Sequence, residues 1–437
     1  MKSLNNNNIK VLFISQELIA GDLAYRLKQE NCDVKLFIGD KNEQDCFNGM
    51  VEKTKNWKKE LEWVGKKGLI IFDDVGYGDI QDKLRKEGYL VVGGSGDGDR
   101  LELDRVYAQK ILKEQNIIDH DFETKSFKIK SAIAFVKKNK GKWVIKQNDH
   151  NTELNYIGKI EDGSDVIDIL ENYKRKFGDD YFISLQKKVE GVEIAVGRFF
   201  NGKDWFGPSV VNFEHKHLYN YELGPLGGET GTVMWYDENS NLFNKTLSKL
   251  KLHLQKSNYR GYVDINFIIN KNKAYPLEVT SRFGSSTIET QDEIQISPWK
   301  DFLMALAKGE NYNLKYKKDY AINVALTIPP FPYKTIDKNI INNGMSIYFN
   351  KNLSKKDFSH IHYEGVLMNE NNQKYYTAGN SGYVIYITET GKTVEEARKK
   401  AYRIIDKIMI PKMFYKTDIG LKFIEKNQKL LKKWGWI

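Results

Sequence analysis

The sequence predicts a multi-domain chain of α/β and α+β character, with an α/β domain at its head and a small α+β domain at its tail. Three observations carry this. Short apolar runs alternate with helical spacing through the first hundred residues. An alternating hairpin, residues 262–269 and 274–280, sits in the second half. Strands at 321–328, near Tyr376 and at 383–388 precede a capped helix close to the end. The length, 437 residues, suits two to four domains at about 100–200 residues each.

The elements follow in order. Residues 9–15 (IKVLFIS), 34–38, 68–72 and 89–93 read as four buried strands, with helices at 18–29 and 80–88. Strand, helix, strand in short order predicts a parallel sheet with crossover helices, although an unrelated α/β domain would alternate in the same way. One helix is expected over 101–115, with Leu103, Val106, Tyr107 and Ile111 at helical spacing. Gly141–Lys146 reads as a strand ending in a lysine, 181–190 as another, and 193–200 continues the sheet. Residues 207–232 hold five glycines and read as a long functional loop. Thr393-Val-Glu-Glu396 reads as a capping box, and Val394, Ala397, Ala401, Ile404, Ile405 and Ile408 as the apolar stripe behind it.

Composition excludes several classes. The 41% hydrophobic and 13% aromatic content excludes wholesale disorder. Two cysteines, Cys32 and Cys46, exclude a disulfide framework and a cysteine zinc site, and fit a reducing, cytoplasmic location. No run approaches the ~18 apolar residues of a membrane helix, and Met1–Asn8 has no apolar centre for a secretory signal. The net charge of +10 is spread along the chain, whereas a nucleic-acid surface would concentrate it. Lys426–Lys433, the densest basic run, reads equally as a solvated terminal helix. The excess also suits phosphorylated small molecules.

The hairpin carries the sharpest chemistry. Asp264 and Asn266 share one face, and Glu278 and Thr280 share a face of the return strand. In a suitable register Asp264 and Glu278 would meet. Two carboxylates at ladder distance repel unless a cation lies between them, and magnesium takes one or two carboxylates plus nucleotide phosphates. Taken alone, the pair is also an ordinary acidic side of a solvent-facing hairpin. Arg282 leaves the strand just beyond, and an arginine fork suits a phosphoryl group or carboxylate. Lys146 can meet phosphate as a point charge, and Glu193 can accept hydrogen bonds from a ribose. His215 with His217, and His360 with His362, share strand faces but supply too few ligands for a structural zinc, so they read as satisfied or loop histidines. Trp434 and Trp436 read as packing rather than base stacking.

Taken in order, these features resemble the ATP-grasp enzymes, in particular the phosphoribosylamine–glycine ligase family. Leu101–Arg105 is similar to that family's segment ending in a phosphate-binding lysine, with Arg105 in its place. Val144-Ile-Lys146 resembles the strand of its second nucleotide lysine. Gln186–Glu193 resembles its hinge, in which Gln186, Lys187 and Val189 would hold adenine, largely through backbone groups, and Glu193 the ribose. His215-Lys216, Gly224-Pro225 and Gly227 resemble its substrate-binding His-Lys and Gly-Pro-rich segment. Leu277–Gly284 matches its metal-binding strand, so Glu278, Asp264 and Thr280 are the implied metal residues, and Glu289-Thr290-Gln291 ends the motif. His362–Gly365, Thr377–Val384, Gly391–Ala397 and Tyr415–Gly420 resemble the last domain.

The resemblance implies an N-terminal α/β pre-ATP-grasp domain over 1–100, an ATP-grasp core over 101–315 with a lid subdomain at about 116–188, and a C-terminal α+β domain over 316–437. It implies an ATP-dependent carboxylate–amine ligase that uses ATP and Mg2+ (or Mn2+). Small-molecule carboxylate and amine substrates would form an amide through an acyl phosphate, with Lys146 and Arg282 as catalytic charges beside Arg105. Three departures fit either a divergent ligase or a catalytically weak relative, and the first of them favours a specialised amine or acid. The family's opening glycine-rich loop is replaced by Ser15–Gly21. Its glycine-rich phosphate loop is replaced by Gln147–Glu153, where Asn148 would donate instead, and its metal-binding asparagine by Thr280. The alternatives are a nucleotide-binding relative without catalysis, and a ligase that modifies a nucleotide or nucleic acid.

Overall fold

Strands buried on both faces need uninterrupted apolar runs, and the first sheet is made of them. β1 (Lys10–Ser15), β2 (Asp33–Ile38), β3 (Glu52–Lys53), β4 (Leu69–Phe72) and β5 (Leu90–Val92) lie parallel in the order β3-β2-β1-β4-β5. The computed structural model describes residues 8–118, 124–146, 155–333 and 342–437. The first helix, Gly21–Gln29, starts later than its apolar spacing predicts. Leu18 adopts a left-handed φ of 63°, and its N–H donates to the Ser15 hydroxyl at 2.7 Å. The helix expected over 101–115 is two helices, Gly96–Leu103 and Arg105–Glu114. Asp104 breaks the run because its side chain caps the second helix, accepting from the Tyr107 N–H at 3.0 Å.

A second unit follows with its own core. β6 (Lys125–Lys128), β7 (Trp143–Lys146), β8 (Tyr156–Ile157) and β9 (Phe182–Lys187) form an antiparallel sheet in the order β6-β9-β7-β8. The helices Ile129–Lys138 and Ser164–Phe177 pack on it through Ile133, Val136, Val166 and Leu170.

The largest sheet has eight strands. β10 (Val192–Asn201), β11 (Trp205–Tyr219), β12 (Leu223–Asp237), β13 (Arg260–Ile269), β14 (Ala274–Thr280) and β15 (Tyr320–Thr327) run on into the last third. There β16 (Tyr348–Phe349), β17 (Ile361–Tyr363), β18 (Val366–Asn369), β19 (Lys374–Thr377), β20 (Tyr383–Gly391) and β21 (Ile408–Met409) complete the set. The eight-stranded order is β14-β13-β10-β11-β12-β15-β20-β17, so hydrogen-bonded strands continue across residue 316. The segment 207–232, expected to be a loop, is instead the two long strands of the β11–β12 hairpin. Its glycines mark close approaches. A Cβ on Gly231 would meet the Asn323 carbonyl at 2.6 Å, and Gly224 has a φ of 82°. Thr393 caps the helix Val394–Ile405, but the Glu396 carboxylate returns to the Lys392 N–H rather than to Thr393, so the capping box is incomplete. Ile408 lies beyond that helix, in β21.

The first and last thirds share one apolar core, which includes Phe47, Phe283, Ile361 and Ile404. Trp436 packs into the core beneath β10–β13 and donates its ring N–H to the Asn270 carbonyl at 2.9 Å. Asp22, in the first helix, ties the two ends of the chain together. It is 2% exposed, accepts from Arg26 at 3.0 Å and the Tyr363 N–H at 2.9 Å, and lies 2.8 Å from His362 Nδ1. Burial opposes its charge, but Arg26 and His362 hold its carboxyl down at about 2. Asp22→Asn is expected to cost about 1–3 kcal/mol, since it removes the nearer of the two carboxylates that Arg26 pairs with and leaves only Asp292, at 3.6 Å. A carboxyl depressed in the folded state stabilises above its unfolded pKa, so this contribution is lost as pH falls from about 4 towards 2. Chemical denaturation of both proteins across that range checks it; equal stabilities at neutral pH would remove Asp22 as the tie.

Candidate nucleotide and metal site

β11 alternates. Val211, Phe213 and His215 point one way, and Asn212, Glu214 and Lys216 the other. His215 is 1% exposed, with Nδ1 2.9 Å from Glu222 and Nε2 accepting the Gly420 N–H at 2.9 Å. The protein thus occupies both ring nitrogens. The polar face carries the chemistry. Lys216 Nζ lies 3.0 Å from Glu193, 3.2 Å from Glu214 and 3.5 Å from Glu278. Burial opposes the ammonium, yet Glu214, Glu193 and Glu278 keep it charged far above the ordinary lysine range. In return Lys216 holds the Glu278 carboxyl down at about 2.

The hairpin register differs from the one that would set Asp264 against Glu278. Asp264 faces Thr280, and Glu278 faces Asn266, because a bulge follows Asn266. Asn266 donates to Glu278 at 3.1 Å and to Glu214 at 3.4 Å. Asp264 is 4% exposed, and burial with Glu214 nearby pushes its carboxyl well above the ordinary range. Gly197 permits this approach, since a Cβ there would lie 2.7 Å from the Asp264 Cβ. Sequence reasoning left Glu214 out, because the strand that carries it was taken for a loop. The polar–apolar alternation of Val211–Lys216 was the signal that could have found it.

Lys146 ends β7 and faces this cluster from the small sheet. Burial, then Arg105, pushes it down to about 8, and Glu278 and Glu193 partly offset this. Arg105 is lowered by burial as well, and its Nε has no partner among the described residues. Arg105, Gln186, Glu278, Thr280 and Arg282 line one cavity of about 190 Å3. Lys187 pairs with Trp143, and Val189 packs against the core beneath β10–β13. Asn148, with the rest of 147–154, lies outside the described residues. Glu193 is already engaged by Lys216.

Other candidates stand apart. Gly224, Pro225 and Gly227 lie near the tip of the β11–β12 hairpin, where His217 bonds the Gly224 carbonyl at 3.0 Å and Tyr383 donates to the Gly227 carbonyl at 3.3 Å. Arg282 does not stand free for a phosphoryl group. Its Nε lies 3.0 Å from Glu102 and 3.5 Å from Asp74. Among the described residues, three ligand atoms of histidine or carboxylate side chains come within 4.8 Å of one another only at Glu293, His360 and Glu389, and Lys317 already pairs with Glu293 at 2.9 Å.

A family model described as phosphoribosylglycinamide synthetase, C domain, matches residues 310–422. Phosphoribosylamine–glycine ligase of Helicobacter pylori is 25% identical over 448 aligned positions, covering 96% of this chain and 98% of its own. The crystal structure of the Thermotoga maritima phosphoribosylamine–glycine ligase superposes with a TM-score of 0.67 at 17% identity, over 94% of this chain and all of that one. Biotin carboxylase of Campylobacter jejuni, a complex with β-γ-ATP, superposes with a TM-score of 0.62 at 12% identity, over 97% and 98%. The chain has the ATP-grasp fold. It resembles phosphoribosylamine–glycine ligase along nearly its whole length, and that kinship places it among ligase enzymes.

ATP-grasp folds imply a divalent metal, and the residues fit one that takes one or two of these carboxylates beside phosphate oxygens, since Asp264, Glu214 and Glu278 do not all gather within 4.8 Å of one another. Glu278, Asp264, Glu214 and Asn266 offer the hard oxygen donors that magnesium takes. The upward push on Asp264 is a repulsion that a dication would relieve. The position of Lys146 gives a pH test. Its ammonium is the form that meets phosphate, so ATP affinity should weaken as pH rises through about 8, by roughly tenfold per pH unit at most. Lys146→Arg should keep its affinity to higher pH. Nucleotide titrations at a series of pH values check both; identical profiles would remove Lys146 from the site.

Proposed function

We propose that this chain is an ATP-dependent carboxylate–amine ligase that forms an amide through an acyl phosphate, acting on an amine or acid other than the pair its ligase relatives are named for. The observation that carries the proposal is the Lys216 hub. One ammonium is held by Glu193, Glu214 and Glu278, opposite Lys146 and Arg105, within an ATP-grasp fold. Lys146 and Arg105 present positive charge to the transferring phosphoryl oxygens, and Lys216 sets the ionisation of the carboxylates beneath. Gln186 and the strand end at Lys187–Val189 offer an edge to adenine, and Glu193 a carboxylate to the ribose. Magnesium, held by Glu278 and Asp264 with Glu214 and Asn266 beside them, would neutralise phosphate charge. A carboxylate oxygen of the substrate attacks the γ-phosphorus and ADP leaves. An amine nitrogen then attacks the acyl carbon and phosphate leaves. No serine or cysteine nucleophile is required.

The departure at Ser15–Gly21 and the engagement of Arg282 by Glu102 support a different amine or acid. ADP release with a panel of amino acids and amines tests the proposal. Turnover that needs one carboxylate and one amine together is expected. Nucleotide binding without turnover for any pair would place the chain with non-catalytic ATP-grasp relatives.

A further inference from the structure

β12 ends at Asp237, beside the start of β15 at Tyr320. An open cavity of about 320 Å3 lies at this corner. Its walls are aromatic, from Trp235, Tyr236, Tyr316 and Tyr320, and its charged lining is Asp237, Glu238, Asp319 and Lys318. The corner stands apart from the nucleotide site. Asp237 faces Ser209 on β11, and Lys216 lies seven residues further along that strand, roughly 20 Å at ~3.3 Å per residue. The aromatic walls are fixed from behind. Trp235 meets Tyr320 edge-to-face at 5.5 Å and Phe423 at 5.5 Å, and Tyr236 meets Tyr316 edge-to-face at 5.1 Å. The Tyr236 hydroxyl donates to Gln291 at 3.1 Å, and the Tyr320 hydroxyl accepts from Gln428 at 3.1 Å. Ring faces held in this way attract cations. Among the described residues, however, no lysine or arginine lies over any of these four rings.

The carboxylates are unmatched as well. Asp319 pairs with Lys392 at 2.6 Å, but Asp237 and Glu238 have no basic partner at ion-pair distance among the described residues. Glu238 Oε1 accepts the Tyr316 hydroxyl at 2.6 Å, and Asp237 Oδ1 accepts the Asn239 N–H at 2.9 Å. The second oxygen of each is left for a ligand. Lys318 is exposed and pairs with none of the three acids, and Arg198 lies over Phe243 at 4.8 Å, reaching Glu238 only through space. Burial, then Glu238, raises the Tyr316 phenol above its ordinary range, so the field in the cavity is negative. An anion would meet three carboxylates against one lysine. A bare divalent ion needs its ligand atoms gathered, and those of Asp237, Glu238 and Asp319 do not all lie within 4.8 Å of one another. A larger cation uses the rings and the spread carboxylates together.

We propose that this cavity is a second binding site, for a small organic cation that carries a guanidinium or ammonium group on an apolar stem. The stem and the cation lie against the aromatic wall, and the N–H groups donate to Glu238 and Asp237. The volume is that of a small-molecule pocket rather than of an extended protein interface. The site does not depend on the ligase chemistry, and its ligand is bound without being consumed.

Calorimetric titration of the full chain with butylguanidinium and with its neutral counterpart butylurea, at matched ionic strength, tests the site. Saturable binding of butylguanidinium at millimolar concentrations is expected, with none of butylurea. Glu238→Gln should weaken it at least about tenfold, the usual size for losing one hydrogen bond to a charged group. That variant keeps the oxygen that accepts from Tyr316, and Glu238 is exposed, so the fold should be retained. Asp237→Asn should act in the same direction. Equal binding of the two probes, no saturable binding of butylguanidinium, or binding unchanged by Glu238→Gln would each overturn the proposal. Saturable binding of an acetylated Gly-Arg-Gly amide with none of butylguanidinium would make the cavity a docking point for a protein segment, and would overturn the small-molecule assignment.

Discussion

Replacing Lys216 by methionine is expected to lower ATP turnover by roughly 10²-fold, on the order of the loss from removing one charged group that preorganises a site. The substitution keeps the stem and deletes only the ammonium. That ammonium lies within 3.5 Å of three carboxylates, and it is the largest influence holding Glu278 down at about 2. Without it Glu193, Glu214 and Glu278 repel one another, and Glu278 meets a metal or phosphate in the wrong state of charge. Lys216→Arg should recover part of the activity, because its charge is retained while its planar fork fits three separate carboxylates poorly. Steady-state ADP release for the three proteins decides. Activity in Lys216→Met within a few-fold of the unmodified chain would show that the hub serves folding alone.

Asp264→Asn should separate stability from function. Asp264 is 4% exposed, and burial with Glu214 beside it keeps its carboxyl well above the ordinary range. A carboxyl raised in the folded state costs stability once pH exceeds its unfolded pKa, so the asparagine should be the more stable protein above about pH 4. A gain of about 0.5–2 kcal/mol is the usual size for relieving such a site. Metal-dependent turnover should fall by roughly 10²-fold or more, since a charged ligand is lost where phosphate charge must be offset. Thermal denaturation and magnesium titration of the activity measure the two arms. A destabilised variant with normal magnesium dependence would contradict both assignments.

The sequence made some of this plain and hid the rest, for physical reasons. Runs such as Val11–Ile14 and Leu69–Phe72 are apolar on both faces, so their burial in a parallel sheet was legible. The hairpin of β13 and β14 was legible from its alternation, but its bulge was not, and the bulge sets Glu278 against Asn266. Glycines in β12 resembled loop residues because they make room for neighbouring chain, as Gly231 does for Asn323. That masked the alternation of β11 and with it Glu214. Glu193, Lys216 and Glu278, predicted separately, do meet, and Lys146 lies within their electrostatic reach. The pairing of Arg282 with Glu102, and of Asp22 with His362, joins residues far apart in the chain, which no local pattern records.

Transfer of labelled oxygen tests the central proposal most directly. With a carboxylate substrate labelled with 18O in both oxygens, an acyl phosphate route places one labelled oxygen in each phosphate released, while the amide keeps the other. The expected result is one 18O per phosphate, formed only when acid and amine are both present. Phosphate free of label, with ATP consumed, would mean that the carboxylate is never phosphorylated, and the proposed ligase chemistry would be wrong.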